Sequence, residues 1–570
     1  MPNELLVLIL LLPLLGGVAI ALLGFRLREQ SYKVGVPAVG AAFLLSIWAL
    51  YAVRVQGPIH LVLYHPHSLL PFSVSISLSI DRLSAVMMML ITGVSMIVHV
   101  YSIRYMQGER GYARFYALMG IITSVLVTLV SSANLLMLFV CWQLVSWLLY
   151  LLLAYNYTNG QALQTAFKTW LVLRLGDVMF LGGVLLAYGV YGTLEHSVLF
   201  ERAAQHPVMV PLWAGGPELS AATAITLLLF VGAMAKSAQF PLHVWLPDTM
   251  DTPTPVSALM HAGIVNAGGF LINRLAPLYG LAPDTLHVAF LVGGVTVIVG
   301  ASIMLTQPDV KKMLGFSTMG QMGYMTMECG LGAFALGIFH LIAHGVFKAT
   351  LFLWAGNAIH EARRDPKFPS DHPVQEGATL SHLPWATGVV MTLLLPLVIL
   401  LIAHGVVQVP LRDAQGAVIF LFFAWVTSAQ AILSLYRLKA VGSWWVAGVM
   451  VLAILAVMIT YLWAAETFTY FLYPAPGEAS RYFQAAAFPL WMFDVFIAVV
   501  TVLVIGGWAV AYTNVRGEHT LIPNWTHEIM PRLYVWFWNR LYVDAVYARL
   551  GRTFAHLARR VDATLPEWLP

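Results

Sequence analysis

The chain has 570 residues, of which 60% are hydrophobic and 10% are charged, and its mean hydropathy is +0.80. Soluble domains carry about 25% charged residues, so this composition excludes an ordinary water-soluble protein and indicates a chain whose solvent is lipid. The formal net charge of +4 is small, and the basic residues are spread among loops, which argues against binding to nucleic acid. Cys141 and Cys329 lie in separate apolar runs, so we expect no iron–sulfur cluster, structural disulfide, metal or other cofactor.

Apolar runs near the roughly 20 residues that cross a bilayer recur along the whole chain. They predict an all-α polytopic membrane protein with about 14–15 transmembrane helices and no separate soluble domain. The first run, residues 5–23, lacks a basic leader, so we expect a retained helix rather than a signal peptide. The helices are predicted to begin near Leu5, Val34, Leu83, Phe115, Leu135, Ala166, Ala222, Pro255, Leu286, Lys312, Ala333, Leu383, Ala417, Trp444 and Phe493.

The chain divides into four predicted regions. Residues 1–110 are N-terminal transmembrane helices, 111–440 a core that carries the ionisable residues, 441–520 C-terminal transmembrane helices, and 521–570 an amphipathic tail. Aromatic residues alternate with arginines in the tail, which is typical of an interfacial helix or of a surface that docks a partner. These arginines are Arg540, Arg549, Arg552, Arg559 and Arg560.

Two predicted helices are interrupted by proline, and each has an ionisable residue near the break. Lys236 lies five residues before Pro241, and His404 lies eight residues after Pro396. Broken helices in matching positions of two halves are typical of transporters with inverted repeats, so the pairing favours a transport protein.

Ionisable side chains at bilayer depth cost at least about 2.5–3.5 kcal/mol each, so those that are present are candidates for function. Lys236 follows a clean apolar run, and Pro241 removes a backbone donor from the same helix. A desolvated lysine can alternate between charged and neutral forms, which makes Lys236 a candidate proton carrier. The alternative is a lysine that snorkels from a helix end.

A second group of ionisable residues recurs at intervals of four. His340, His344 and Lys348 lie in HLIAHGVFKATLFL, and this spacing places them on one face of a helix. Three protonatable groups in a row favour a proton path through intervening water, although each could also bridge packed helices. His261, in the span that follows Lys236, is equally consistent with a proton relay and with helix packing.

An acid–base pair lies in another apolar run. Arg174 and Asp177 are three residues apart in VLRLGDV and are expected to pair with each other or with a lysine outside the run. A structural ion pair and a switching one both remain open. Glu328 and Glu466 are isolated near helix ends and are not assigned to the path.

Three long segments resemble the signature regions of the proton-conducting antiporter family: MAKSAQFPLHVWLPDTMDTPTPVSALMHAG, DVKKMLGFSTMGQMGYM and HLIAHGVFKATLFLWAG. This family includes the L-, M- and N-type subunits of respiratory complex I, Mrp cation antiporters and membrane hydrogenase subunits. The resemblance covers residues 78–360 and implies two inverted five-helix repeats around a hydrated axis of lysines, histidines and a glutamate. By matching motif, it implies that Lys236 is the central broken-helix lysine, that His261 is the next relay, that His340, His344 and Lys348 form the onward path, and that Arg174 and Asp177 flank the lysine–glutamate switch.

The chain departs from this family at two points. The family has Trp-Glu in its fifth helix, whereas this chain reads CWQLVSW, so Gln143 stands in the place of the switching carboxylate. Glutamine carries no charge, so Asp177 is expected to become the counter-ion of Lys236. The family's Gly-Phe-Ser-Lys stretch is absent near Pro396, and His404 is the predicted titratable substitute.

The sequence after Tyr512 is expected to be too short for the lateral helix of L-type subunits. A short C-terminal end combined with Gln143 in place of the glutamate resembles the DabB-type membrane subunits of DAB inorganic carbon accumulation complexes. That resemblance implies a multi-pass protein of the bacterial inner membrane, with proton or sodium flow coupled to accumulation of CO2 as bicarbonate. A DabA-like, zinc-binding, carbonic anhydrase-like partner would carry the catalytic activity. Two alternatives stay open: a proton-pumping subunit of a complex I-like or hydrogenase redox complex, and a membrane scaffold whose proton path is inactive.

Overall fold

The computed structural model describes residues 3–64, 75–211, 215–364, 444–489 and 524–562, with isolated positions between 491 and 502. A 3-10 turn (Asn3–Val7) opens the chain, and another (Arg28–Gln30) separates the first two long helices. The helices of the first half are α1 (Leu8–Leu27), α2 (Tyr32–Gln56), α3 (Arg82–Tyr105), α4 (Tyr112–Ser131), α5 (Leu135–Leu153), α6 (Gly160–Tyr191), α7 (His196–Gln205) and α8 (Ala221–Lys236).

The second half begins with a series of short helical segments and continues with long helices. The short segments are a 3-10 turn (Leu246–Asp251), α9 (Thr254–Leu259), a π-helical turn (Met260–Ile264), α10 (Ala267–Arg274) and α11 (Ala276–Tyr279). The long helices are α12 (Pro283–Met304), α13 (Val310–Gly330), α14 (Phe334–Arg364) and Trp444–Leu472. A short helix, Glu478–Ala485, comes next, and the tail forms Asn524–Trp538, a 3-10 turn (Arg540–Tyr542) and the C-terminal helix (Val543–Asp562).

Strands are confined to two small antiparallel hairpins in the described residues. β1 (Ile59–Tyr64) pairs with β2 (Ile76–Ile80), with Leu61 opposite Leu78. β3 (Met209–Pro211) pairs with β4 (Glu218–Ser220). The first hairpin joins α2 to α3 and the second joins α7 to α8, so both lie at the ends of helices.

Several helices begin at a polar residue whose side chain caps the first turn. Asp81 accepts from the Ser84 amide before α3, and Asn134 accepts from the Met137 amide before α5. Capping satisfies backbone N–H groups that have no partner inside the helix. These caps explain why long helices begin within a few residues of the predicted positions.

Within the described residues, nine helices are long and apolar enough to cross a membrane. The prediction of an all-α polytopic membrane protein is therefore confirmed. The predicted helix starts near Leu383, Ala417 and Phe493, together with Pro396 and His404, lie outside the described residues.

Glycines allow the helices that carry the site and its neighbours to approach closely. A Cβ at Gly293 of α12 would lie 2.6 Å from the Gly323 carbonyl oxygen of α13. A Cβ at Gly176 of α6 would collide with Ala235 of α8. Small residues at helix contacts are the usual means of close packing in membranes, where no hydrophobic effect drives helices together. The second contact places Arg174 and Asp177 beside the end of α8.

Candidate proton-translocation site

Helix α8 ends at Lys236, inside the bundle. The next residues leave helical geometry, and Ala238 adopts a φ of 49°. The Trp245 indole N–H donates to the Ala235 carbonyl oxygen at 3.0 Å, and the Ser237 hydroxyl donates to the Val265 carbonyl oxygen at 2.6 Å. These bonds tie the non-helical segment after the break to α8 and to the segment that follows His261, and they keep its polar groups hydrogen-bonded, as an interrupted helix requires at membrane depth.

Lys236 is fully buried, with no exposed area. Its ammonium donates to the Trp142 carbonyl oxygen at 2.9 Å and to the Ser146 hydroxyl at 2.6 Å, both on α5. The Nζ atom also lies 4.7 Å from the centre of the Trp142 ring. Because neither oxygen is charged, these contacts can hold the lysine in its neutral form as well as in its charged form.

Asp177 pairs with Arg174 and not directly with Lys236. The Arg174 Nη2 atom lies 2.8 Å from Asp177 Oδ2, and Asp177 Oδ1 accepts from the Trp142 indole N–H at 2.9 Å. Lys236 and Asp177 therefore both bind Trp142, by its carbonyl oxygen and by its ring, respectively. That Asp177 serves as the counter-ion of Lys236 stays a prediction, because the carboxylate contacts Arg174 and the Trp142 indole.

Gln143 also binds the arginine, because its side-chain oxygen accepts a hydrogen bond from Arg174 Nη1. We call Trp142, Gln143, Arg174, Asp177 and Lys236 the lysine cluster. It holds two cationic side chains against one carboxylate. Release of a proton from Lys236 leaves the Arg174–Asp177 pair with no net charge, so the cluster has a state in which its buried charges balance.

A second cluster lies on α14 and its neighbours. His340 Nδ1 lies 3.1 Å from Glu328 Oε2, and His340 Nε2 lies 2.8 Å from Gln321 Oε1. An oxygen atom faces each ring nitrogen, so the ring can donate a hydrogen bond from whichever nitrogen carries a proton.

His344 and Lys348 continue along the same helix face, one and two turns further on. His344 is buried, and neither of its ring nitrogens has a hydrogen-bond partner in the described residues. Lys348 is 1% exposed, and its ammonium donates to the Leu314 carbonyl oxygen at 3.3 Å. His344 is close enough to His340, Lys348 and His261 to interact with each electrostatically.

His261 lies on the π-helical turn between α9 and α10, and its ring stacks on Phe352 with centroids 4.2 Å apart. A Cβ at Gly345 would lie 3.0 Å from the Ala262 carbonyl oxygen, so α14 packs closely against this turn. We call His261, Glu328, His340, His344 and Lys348 the histidine cluster. Single-turn π bulges recur at functional sites, in keeping with the position of His261.

No hydrogen bond joins Lys236 to His261, although both residues are described, and their side chains bind different neighbours. Among the described residues, the predicted path residues therefore fall into two groups, the lysine cluster and the histidine cluster, and a continuous path between them stays a prediction. A proton that passes between them requires water or another polar group as an intermediate. Within the described residues, no three metal-ligating side chains converge.

Sequence reasoning missed several polar residues of the site. Glu328 looks isolated in the sequence, yet it contacts His340 from the preceding helix. Ser146 and the Trp142 carbonyl oxygen carry no sequence signal for binding a lysine. His243, in the segment after the break, is 1% exposed and could have been noticed as a buried titratable residue. His404 lies outside the described residues.

A network of four charged residues joins the tail to the segment that follows the break. Asp248 lies 2.7 Å from the Lys168 ammonium and 2.5 Å from Arg540 Nη1. Asp544 lies 2.5 Å from Lys168 and 3.3 Å from Arg540. Burial alone would raise the pKa of Asp248, but Arg540 and Lys168 more than offset burial and lower the pKa below its ordinary value.

The fold and the buried clusters together define an ion-translocating, antiporter-like membrane subunit. The family model described as "NADH:quinone oxidoreductase/Mrp antiporter, TM" matches residues 132–403, and the model described as "NADH-Ubiquinone oxidoreductase (complex I), chain 5 N-terminus" matches residues 68–116. The chain belongs to this family, as its resemblance to the proton-conducting antiporters predicted.

Among its relatives, the "Probable inorganic carbon transporter subunit DabB1" of Halothiobacillus neapolitanus is 40% identical over 85% of this chain and 87% of that protein. The "NAD(P)H-quinone oxidoreductase subunit 5, organellar chromatophore 1" of Paulinella chromatophora is 39% identical over 66% of this chain. This second match spans 57% of that relative's length.

Two solved structures share the fold. A chain of the Mrp complex from Dietzia sp. has a TM-score of 0.57 at 23% identity, over 99% of this chain and 63% of that one. A chain of the archaeal membrane-bound sulfane sulfur reductase has a TM-score of 0.55 at 18% identity, over 90% of this chain and 96% of that one.

Proposed function

We propose that this chain is the membrane subunit of a bacterial inorganic carbon accumulation complex. Protons or sodium ions flow through it across the inner membrane and drive a DabA-like, zinc-binding, carbonic anhydrase-like partner to convert CO2 into bicarbonate. The observation that carries this proposal is the similarity to DabB1, which extends over 87% of that relative. The match to NAD(P)H-quinone oxidoreductase subunit 5, by contrast, covers little more than half of that protein.

In the proposed mechanism, Lys236 alternates between a charged and a neutral form. The charged form binds the Trp142 carbonyl oxygen and Ser146, with Asp177 nearby through Trp142. Loss of its proton leaves Arg174 and Asp177 as a balanced pair. The histidine cluster accepts the proton through intervening water, and His340 holds it between Glu328 and Gln321.

Coupling requires two conformations of the complex that bind the proton differently. The break after α8 supports such a change, because an interrupted helix can move without rupture of a continuous ladder of hydrogen bonds. The partner then changes state with the conformation of the membrane subunit, and in this way the ion gradient biases the direction of the partner's reaction.

The cell-based test uses Lys236→Ala and Lys236→Arg in a strain whose growth in air depends on this complex. Alanine removes the carrier, and arginine keeps the charge but cannot release its proton at physiological pH. Both variants are expected to abolish bicarbonate accumulation while the partner still copurifies. Lys33→Ala, at an exposed lysine outside both clusters, is the matched control and is expected to behave as wild type.

Three results separate the competing functions. Unchanged bicarbonate uptake in both Lys236 variants contradicts the proposal and favours the scaffold, as does normal function of a Lys236→Ala, His344→Ala double variant. Copurification of flavin or iron–sulfur subunits favours a redox-driven pump. The similarity to quinone oxidoreductase subunits is the observation that keeps this second function under test.

A further inference from the structure

A polar cavity of about 520 Å³ lies at one end of the helical bundle, apart from both clusters. Its walls come from the end of α3, the start of α4, the residues between α5 and α6, the segment before α9 and the start of α13. All of these are ends of long helices or the turns next to them. In a chain that spans the membrane, this places the cavity at the level of the lipid headgroups.

The lining of this cavity is electropositive. Among the described lining residues, Arg110, Arg114 and Lys311 are basic and Glu109 is acidic, so their formal charges sum to +2. The cavity also lies at the start of α4, where no side chain caps the exposed amide groups. The N-terminal end of a helix carries partial positive charge, which adds to the attraction for an anion.

Arg114 is held in position by its neighbours. Its guanidinium lies 5.0 Å from the ring centres of both Tyr155 and Tyr157, and Nη2 donates to the Tyr155 carbonyl oxygen at 2.6 Å. The Tyr155 hydroxyl donates to the Arg110 carbonyl oxygen at 2.9 Å. This bond joins the turn between α5 and α6 to the turn between α3 and α4. Neither Arg110 nor Arg114 forms an ion pair with another described residue. A fixed guanidinium with free donors is a ready partner for an oxyanion.

The end of the bundle at which the cavity lies carries further basic residues, which also suits an anion site. Successive spans alternate in direction, so the turn between α1 and α2 shares this end of the bundle, and a Cβ at Gly24 of α1 would lie 2.9 Å from Ala113 of α4. Basic residues flank that turn at Arg26, Arg28 and Lys33. An excess of lysine and arginine marks the cytoplasmic side, where leaflets rich in anionic lipid meet basic pockets between helices.

We propose that this cavity is an oxyanion site, which takes the phosphate of an anionic lipid headgroup or a small free oxyanion such as phosphate or bicarbonate. Thr252 and Pro253 line the same cavity, and they precede the span that carries His261. The occupant therefore contacts the segment that joins the broken helix to the histidine cluster.

The test measures binding to the purified complex in detergent, with Arg110→Gln and Arg114→Gln as site variants. The lipid arm compares phosphatidylglycerol with phosphatidylethanolamine by native mass spectrometry, and the free-anion arm compares sodium phosphate and bicarbonate with chloride by thermal shift at constant ionic strength. Arg26→Gln, at a basic residue on the same side outside the cavity lining, is the control.

The site is supported by preferential binding in either arm that weakens at least about fivefold in both site variants and persists in the control. The arm that responds identifies the source of the oxyanion. If Arg114→Gln does not fold, Arg110→Gln alone tests the site. The Arg110 side chain makes no hydrogen bond or ion pair with a described residue, so we expect this variant to fold. Equal binding by wild type, Arg110→Gln and the control, or no preference for an anion in either arm, overturns the proposal.

Discussion

Lys236 owes its position to a small set of contacts that the sequence does not reveal. A backbone carbonyl oxygen and a serine hydroxyl of α5 hold its ammonium, and the tryptophan that supplies the carbonyl also binds Asp177 through its ring. The carboxylate in this cluster comes from α6 because α5 carries Gln143 instead of a glutamate. At the residue scale, Trp142 therefore lies between Lys236 and the Arg174–Asp177 ion pair and contacts both.

Asp177→Asn tests this indirect contact. Asparagine keeps an oxygen for the Trp142 indole but removes the charge, so Arg174 stays beside Lys236 as an uncompensated cation. We expect proton flux through the complex to fall by at least about tenfold, equivalent to about 1.4 kcal/mol in the barrier. Asp284→Asn, at an exposed aspartate on the first turn of α12, is the matched control in the flux assay. Wild-type flux in Asp177→Asn would mean that Lys236 works without this carboxylate.

Glu328→Gln tests the histidine cluster in the same way. Glutamine retains a hydrogen-bonding group next to His340 but removes the carboxylate charge from the histidine cluster. We expect flux to fall several-fold while the complex still assembles, as judged by copurification of the partner. Glu218→Gln, at an exposed glutamate in β4, should leave flux unchanged. Equal flux in both variants would remove Glu328 from the path.

At the scale of helices, the sequence predicted most starts correctly because apolar runs and capping residues are local signals. The break at Lys236 was also predictable, since Pro241 cannot continue a helix. The contacts within the lysine cluster were not predictable, because they depend on how α5, α6 and α8 cross, and the close approach of α6 to α8 at Gly176 helps to set that crossing. Glu328 was missed for the same reason: its partner His340 lies on the next helix.

The network of Lys168, Asp248, Arg540 and Asp544 links the tail to α6 and to the 3-10 turn after the break, across 292 to 376 residues of the chain. Its four side chains are 16–36% exposed, so solvent screens each ion pair. The network therefore contributes about 1 kcal/mol to the free energy that holds the tail on the core. We expect Arg540→Gln to raise the rate of tryptic cleavage in the C-terminal helix about fivefold, because the tail detaches more often.

The control for the tail experiment is Arg549→Gln, which removes an arginine of the C-terminal helix that has no ion pair among the described residues. Peptide mass spectrometry over a time course measures both cleavage rates. An Arg540→Gln tail as resistant as the control would show that the apolar contacts of the tail, and not its charges, hold it to the core.

At the scale of the whole molecule, buried charge is concentrated where the helix is broken and along one face of α14. Burial of Lys236 and Lys348 is costly in an apolar bundle, so each residue is retained at a cost in stability. The composition predicted such a protein from the outset, and the family motifs located most of its ionisable residues. Water between the lysine and histidine clusters completes the proposed route.

Reconstitution of the purified complex into proteoliposomes tests that route most directly. An imposed membrane potential drives ions inward, a pH-sensitive dye inside reports proton entry, and Lys236→Met replaces the ammonium with an uncharged side chain of similar length. We expect proton entry in wild type and at least about a tenfold lower rate in Lys236→Met, with equal amounts of folded protein in both. An equal rate of entry in the two preparations would contradict proton passage through Lys236.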